Sequence, residues 1–159
     1  MPVDSELTVA PANPGDYDAM QSLMPRLAEF ELPAHRKPRD LWRHDAELLE
    51  RWKQGKAEQC LVYLAKHANG DLLGMAITTL RPELLSGEPS AHLEALVVAE
   101  QAQGKGIAGA LIDASEKAAA EAGALSITLN VFGLNKRARA VYARAGFDEE
   151  LIRCSKQLR

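Results

Sequence analysis

The sequence has few cysteines, little net charge and no long apolar run. Cys60 and Cys154 are its only thiols and lie far apart. Two such thiols make neither a disulfide framework nor a C-x-x-C redox pair, so a reducing cytosol suits the chain. A net charge of −3 gives no general pull toward nucleic acid or an anionic membrane. No apolar stretch approaches the roughly 18 residues of a membrane span. Residues 1–6, Met-Pro-Val-Asp-Ser-Glu, have neither the basic nor the apolar part of a signal peptide. A cytoplasmic protein with no membrane partner is therefore expected. Internal repeats, low-complexity tracts and linkers are missing too, so residues 1–159 read as one domain, long enough for a real core. The Walker pattern G-x-x-x-x-G-K-[ST] is also absent.

What is present is concentrated in residues 93–112. Leu93 to Val98 is an apolar run of strand length, interrupted by Glu94. A carboxylate among apolar neighbours on a strand must be hydrogen-bonded, protonated or functional. Gly104 and Gly106 follow. After them Ile107, Leu111, Ala114 and Ala118 recur at helical spacing. A strand thus feeds a glycine turn, and the turn opens a helix. Helix-start N–H groups lack internal partners and sit at the positive end of the dipole, and glycines let a ligand come close. This is an anion site, most often for phosphate. Gly104-Lys105-Gly106-Ile107-Ala108-Gly109 also spells the dinucleotide fingerprint G-x-G-x-x-G. That fingerprint needs a strand running straight into the first glycine and an acid at the end of the next strand. Here Ala99 to Gln103 intervene, and the next strand carries Asn130. A nicotinamide-binding oxidoreductase stays the minor alternative.

The remaining chain reads as strands and helices in alternation. Leu7 to Ala10 suits a first strand, and Asn13-Pro14-Gly15-Asp16 is turn and cap chemistry. Met20, Leu23, Met24 and Leu27 predict a helix to about Phe30, bent or broken at Pro25. A second helix is expected over Asp40 to Lys53, with Trp42, Ala46 and Leu49 on one face. Cys60 to Ala65 and Leu72 to Leu80 form a hairpin around Asn69-Gly70-Asp71. Arg81 to Ser90 reads as a loop. Gly123 ends the third helix, Leu125 to Val131 is a strand, and Asn135 caps a fourth helix that stops at Gly146. A last strand is expected near Leu151 to Gln157. The order predicts a three-layer α/β/α fold around a central mixed sheet.

Asn135 and Tyr142, seven residues apart on one helix, share nearly the same face. A right-handed crossover brings them to the edge of the sheet that holds Glu94. With these residues in place, residues 93–149 resemble the acetyl-CoA-binding core of the GCN5-related N-acetyltransferases. The family's Q/R-x-x-G-x-G/A signature is matched at Gln103-Gly104-Lys105-Gly106-Ile107-Ala108, with Gln103 where Arg is commoner. Its following Asn, Ala, Tyr and Gly-Phe are matched at Asn135, Ala138, Tyr142, Gly146 and Phe147. Leu93-Glu94 is similar to the diamine and polyamine branch, although Ala95 stands where that branch has an acid. The aminoglycoside-modifying branch is comparably similar.

The resemblance implies a partly splayed sheet and acetyl transfer from acetyl-CoA to an amine, with CoA as product and no metal. Amides of Gln103, Gly104, Lys105, Gly106, Ile107 and Ala108 would hold the pyrophosphate. Leu96 and Val98 would pair with the pantetheine, and an N–H near Val97 would polarise the thioester. Asn135 would bond the pantetheine arm. Glu94 is the candidate base, with His92 on the same strand face as relay or replacement. Tyr142 would protonate the leaving thiolate or hold its sulfur. Neither cysteine has an obvious His partner, which implies direct transfer without an acyl-enzyme. Phe30 to Arg39 and Arg81 to Ser90 would line the acceptor pocket. Their acids (Glu29, Glu31, Glu83, Glu88) and bases (His35, Arg36, Lys37, Arg39) cancel, so the acceptor stays open, with a small-molecule amine favoured. The family allows a homodimer. A catalytically silent acetyl-CoA-binding regulator is the rival from another class.

Overall fold

The computed structural model describes residues 6–159. Residues 1–5, which carry most of the stretch judged unlike a signal peptide, lie outside the described residues. Five strands form one sheet in the order β1-β2-β3-β4-β5. They are β1 (Leu7–Pro11), β2 (Cys60–His67), β3 (Leu72–Pro82), β4 (Pro89–Val98) and β5 (Ile127–Leu129). The first four are antiparallel neighbours, and β5 joins β4 in parallel. Helices α1 (Tyr17–Leu23) and α2 (Arg43–Lys53) cover one face; α3 (Ile107–Glu121) and α4 (Lys136–Arg144) cover the other. The expected mixed sheet between two helical layers is present. Among the described residues no helix is long and apolar enough to cross a membrane.

Local chemistry explains where elements stop. Asn13 caps its turn by accepting from Gly15 N–H, and Asp16 accepts from Asn13 N–H in return. The first helix does not run on to Phe30. It ends at Leu23 and tightens into a 3₁₀ turn, Met24–Ala28, because Pro25 has no N–H to continue the α ladder. The second α-helix starts at Arg43 rather than Asp40, after a 3₁₀ turn over Pro38–Leu41. The loop expected from Arg81 to Ser90 is shorter. β3 and β4 pair as far as Pro82 opposite Pro89, prolines being tolerated at strand ends.

Two further expectations fail. The strand over Leu125 to Val131 contracts to Ile127–Leu129, and Leu125 is exposed. The final strand near Leu151 to Gln157 does not form; residues 147–159 are irregular. Leu151 and Ile152 face solvent, so alternation in this tail buries nothing that would hold a strand in place.

Two departures from regular pairing shape the centre of the sheet. Opposite β4, Ile77 pairs with Ala95 but the next residue, Thr78, pairs with Leu93. Glu94 is the extra residue of a β-bulge. The bulge switches faces. Leu93 packs in the cluster under α3 and α4, whereas Ala95 and Val97 pack in the cluster under α1 and α2. The second departure is the pairing of β4 with β5, which stops after three rungs, Ala91–Ile127, His92–Thr128 and Leu93–Leu129. Beyond Leu93 the parallel strands part. Gly74 on β3 lets α3 approach: a Cβ there would lie 2.9 Å from Val97 O and 3.0 Å from Leu111 Cδ1.

Candidate active site

The gap between β4 and β5 opens into a cleft of about 630 Å³. Its walls include Glu94 to Val98 on β4, the Gln103–Ala108 turn and Asn135 and Tyr142 on α4. The structure therefore brings together nearly every residue singled out from the sequence. Lys105 lies outside this cleft, on the other side of its turn.

The turn is built for close approach. Gly104 and Gly106 both have φ of +78°, a left-handed conformation that side chains rarely adopt. Gly106 is the N-cap of α3, so the free N–H groups of the helix start face the cleft without a capping side chain. Gln103 accepts a hydrogen bond from Arg137 Nη1 at 2.7 Å, tying the turn to α4. The Gln103 side chain is thus used in fixing the loop, and the backbone N–H groups of the turn carry no capping side chain.

Along β4, Ala99 N–H donates to Leu73 O at 2.8 Å. By the alternation of an antiparallel ladder, the backbone groups of Val97 also turn to β3, and those of Leu96 and Val98 turn to the cleft. Val97's own N–H is thus directed into the sheet, and the N–H groups of Leu96 and Val98 are the ones on the cleft side. Val98 O accepts from Arg26 Nε at 2.7 Å, which leaves its N–H on the open side.

Asn135 is a helix cap: its Oδ1 accepts from Ala138 N–H at 3.2 Å. The cap uses Oδ1 alone, and Asn135 also lines the cleft. Tyr142 packs edge-on against Phe147 with centroids 5.9 Å apart. Burial pushes its phenol up to about 12, so the proton stays on oxygen at neutral pH.

The other end of the cleft holds the acid–base groups. Glu94 Oε1 accepts from Thr79 Oγ1 at 2.7 Å and lies 3.6 Å from Arg81 Nη1. Its side chain is 12% exposed. His92 is buried, and its Nδ1 shares a 2.7 Å hydrogen bond with Thr128 Oγ1. Burial holds its pKa below the usual histidine range; Arg81 adds to the lowering and Glu94 opposes it. His92 is thus a neutral imidazole at neutral pH. It is not among the cleft-lining residues, whereas Glu94 is. Burial, with Glu94 as a lesser cause, pushes the Cys60 thiol up to about 12 against a small opposing effect of Arg51. That thiol is no nucleophile. Cys154 is exposed in the irregular tail.

Sequence reasoning missed Asp45. It stands in the first turn of α2, is 8% exposed and lines the cleft beside Leu41, Phe30 and Glu94. Burial, then the negative charge of Glu94, pushes it up to about 7. A signal was present: with Trp42 and Leu49 it follows helical spacing i, i+3, i+7, an acid set in an apolar stripe. The acceptor loops behave differently from expectation. Phe30 and Glu29 reach the cleft, whereas Glu83, Glu88, His35 and Lys37 do not line it.

The family model for GNAT acetyltransferases matches residues 24–147. The chain belongs to this family. A GNAT chain is an N-acetyltransferase, which removes the nicotinamide reading of the glycine turn. No curated protein matches by sequence. Among solved structures, an aminoglycoside acetyltransferase from an uncultured soil metagenomic sample aligns with TM-score 0.67 and 19% identity, over 98% of this chain and 99% of that one. The aminoglycoside enzyme AAC(6')-Iy, solved with a bisubstrate analogue of CoA, gives TM-score 0.70 and 22% identity over 96% and 99%. Ribosomal-protein-alanine N-acetyltransferase from Brucella melitensis gives TM-score 0.70 and 20% identity over the same shares. At these identities the likeness establishes the GNAT fold.

Proposed function

We propose that this GNAT acetyltransferase moves the acetyl group of acetyl-CoA to a small-molecule primary amine by direct attack in a ternary complex. The single observation that carries the reading is the cleft itself. One continuous gap places the phosphate-type turn, the unpaired β4 backbone, Tyr142 and Glu94 along one path. Glu94 lies four residues before Val98, about 13 Å along an extended strand, so phosphate and acid–base chemistry occupy opposite ends.

The residues fit a CoA thioester. The Gln103–Ala108 amides suit a pyrophosphate, and the free backbone groups of Leu96 and Val98 suit the amides of a pantetheine arm. Bound there, the thioester supplies an activated acetyl group. The N–H of Leu96 or Val98 polarises its carbonyl. An alkylammonium has a pKa near 10.4 and must lose a proton before attack. Glu94 takes that proton, directly or through water. The N–C bond forms as the C–S bond breaks, and the nitrogen gives up a second proton to solvent as the amide forms.

Tyr142 serves the sulfur. A phenol raised to about 12 is still protonated when the thiolate leaves. Tyr142 therefore donates a hydrogen bond to the leaving sulfur, and the thiolate takes its proton from solvent. Cys60 is inert and Cys154 does not line the cleft, which supports direct transfer.

Thermal melts with acetyl-CoA and CoA, followed by thiol release over an amine panel, test the proposal. At 100 times Kd a native-state ligand stabilises by about 2.7 kcal/mol. A shift together with amine-dependent thiol release is expected. A shift without release over the whole panel would instead identify a silent cofactor-binding regulator.

A further inference from the structure

We propose that Asp45 is the acceptor-binding residue of this site. With Glu94 it forms a two-carboxylate seat that selects amines bearing a second cationic group over amines flanked by a carboxylate. The inference rests on the proposed acetyl transfer and goes beyond it to the class of acceptor.

Geometry carries it. Asp45 is 8% exposed, lines the cleft and has no hydrogen-bond or ion-pair partner among the described residues. Two arginines at this end of the cleft are already engaged. Arg26 binds Val98 O and Glu29. Arg81 lies against Glu94. Leu27, Phe30 and Leu41 line the same cleft and add apolar surface to it. A carboxylate buried without a partner costs the fold stability. A ligand cation would remove that cost.

The charge balance defines the ligand. Glu94 receives the proton of the reacting ammonium and has Thr79 and Arg81 to hold it. Asp45 is then left to a different positive charge on the same acceptor. An acceptor with a carboxylate next to its amine would place like charges together in a site with little water, where repulsion is strong. The raised pKa of Asp45 agrees with this reading: an empty seat shares its proton at neutral pH, and an arriving cation drives it off.

The experiment uses the full chain with acetyl-CoA and four acceptor probes: 1,4-diaminobutane, spermidine, butylamine and glycine. Wild type should prefer the diamine and spermidine to butylamine and leave glycine unused. In Asp45→Asn, KM for 1,4-diaminobutane should rise at least tenfold, with kcat within threefold and KM for acetyl-CoA unchanged. The preference over butylamine should collapse. Asp45→Glu should restore part of it. A melting temperature no lower than wild type shows that the variant folds. Unchanged diamine KM, or a wild type that prefers glycine, would overturn the role of Asp45 while leaving acetyl transfer standing. Absence of thiol release with every amine would overturn both.

Discussion

The two ends of the cleft are made from different materials. The proposed phosphate end is backbone: two left-handed glycines and the start of α3, all within residues 103–108. The proposed acid–base end is side chain: Asp45 from α2, Thr79 and Arg81 from β3, and Glu94 from a bulge on β4. A backbone site needs one short stretch of chain and tolerates most side chains within it. A side-chain site needs residues far apart in sequence to be correct together. The first end can persist while the second changes, which suits a fold that keeps one donor and varies its acceptor.

Substitutions at each end should break different measurements. The largest effect is expected at the turn. Gly106→Val puts a β-branched residue at φ +78° in the helix cap, and acetyl-CoA binding by calorimetry should be lost. Retained binding would move the phosphate site elsewhere. At the other end, Glu94→Gln should lower kcat/KM by roughly a hundredfold or more, the usual range for a general base. It should also flatten the rise of kcat/KM with pH, with acetyl-CoA affinity kept. If the profile keeps its shape, the neutral, Thr128-bound His92 becomes the base to test. Tyr142→Phe should cost kcat about tenfold, less than a full general acid, because the phenol only donates to sulfur. Its effect on acetyl-CoA binding should be slight.

The effect furthest from turnover is on stability. Asp45 titrates near 7 when folded against an ordinary 3.8, so its stabilising contribution is complete below about pH 4 and lost as pH rises through 7. A shift of about three units caps this at roughly 4 kcal/mol, and water in the cleft reduces it. Asp45→Asn should therefore melt above wild type at pH 8, keep a smaller advantage at pH 5 and lose it only below about pH 4. His92, with its lowered pKa, pulls the other way below about 6.5, but it is present in both proteins and cancels in the difference.

What was legible in the chain follows the same division. The strand, the glycine turn and the helix after it are local, and each is written in neighbouring residues: the apolar run to Val98, Gly104 and Gly106, then Ile107 and Leu111 at helical spacing. Asn135 as a cap and Tyr142 in the cleft also followed from spacing on one helix. Asp45 was legible only as an acid in the apolar stripe of Trp42 and Leu49; that it meets Glu94 is decided by the tertiary fold. The bulge at Glu94 is invisible in β4 alone, since it is a property of the register with β3. The tail near Leu151 failed for a related reason: strand-like residues form a strand only where an edge pairs with them, and β5 offers three residues.

The parting of β4 from β5 makes one strand central for half its length and an edge for the rest. From Glu94 onward, the amides that turn away from β3 have no neighbouring strand to protect them, though they lie deep in the molecule. Hydrogen exchange should therefore alternate along β4 in the free protein, slow at Val97 and fast at Leu96 and Val98. A ligand lying along the strand would slow the fast pair and leave Val97 unchanged. The exchange pattern thus measures how fully the cleft is occupied, even for a bound molecule that is never turned over.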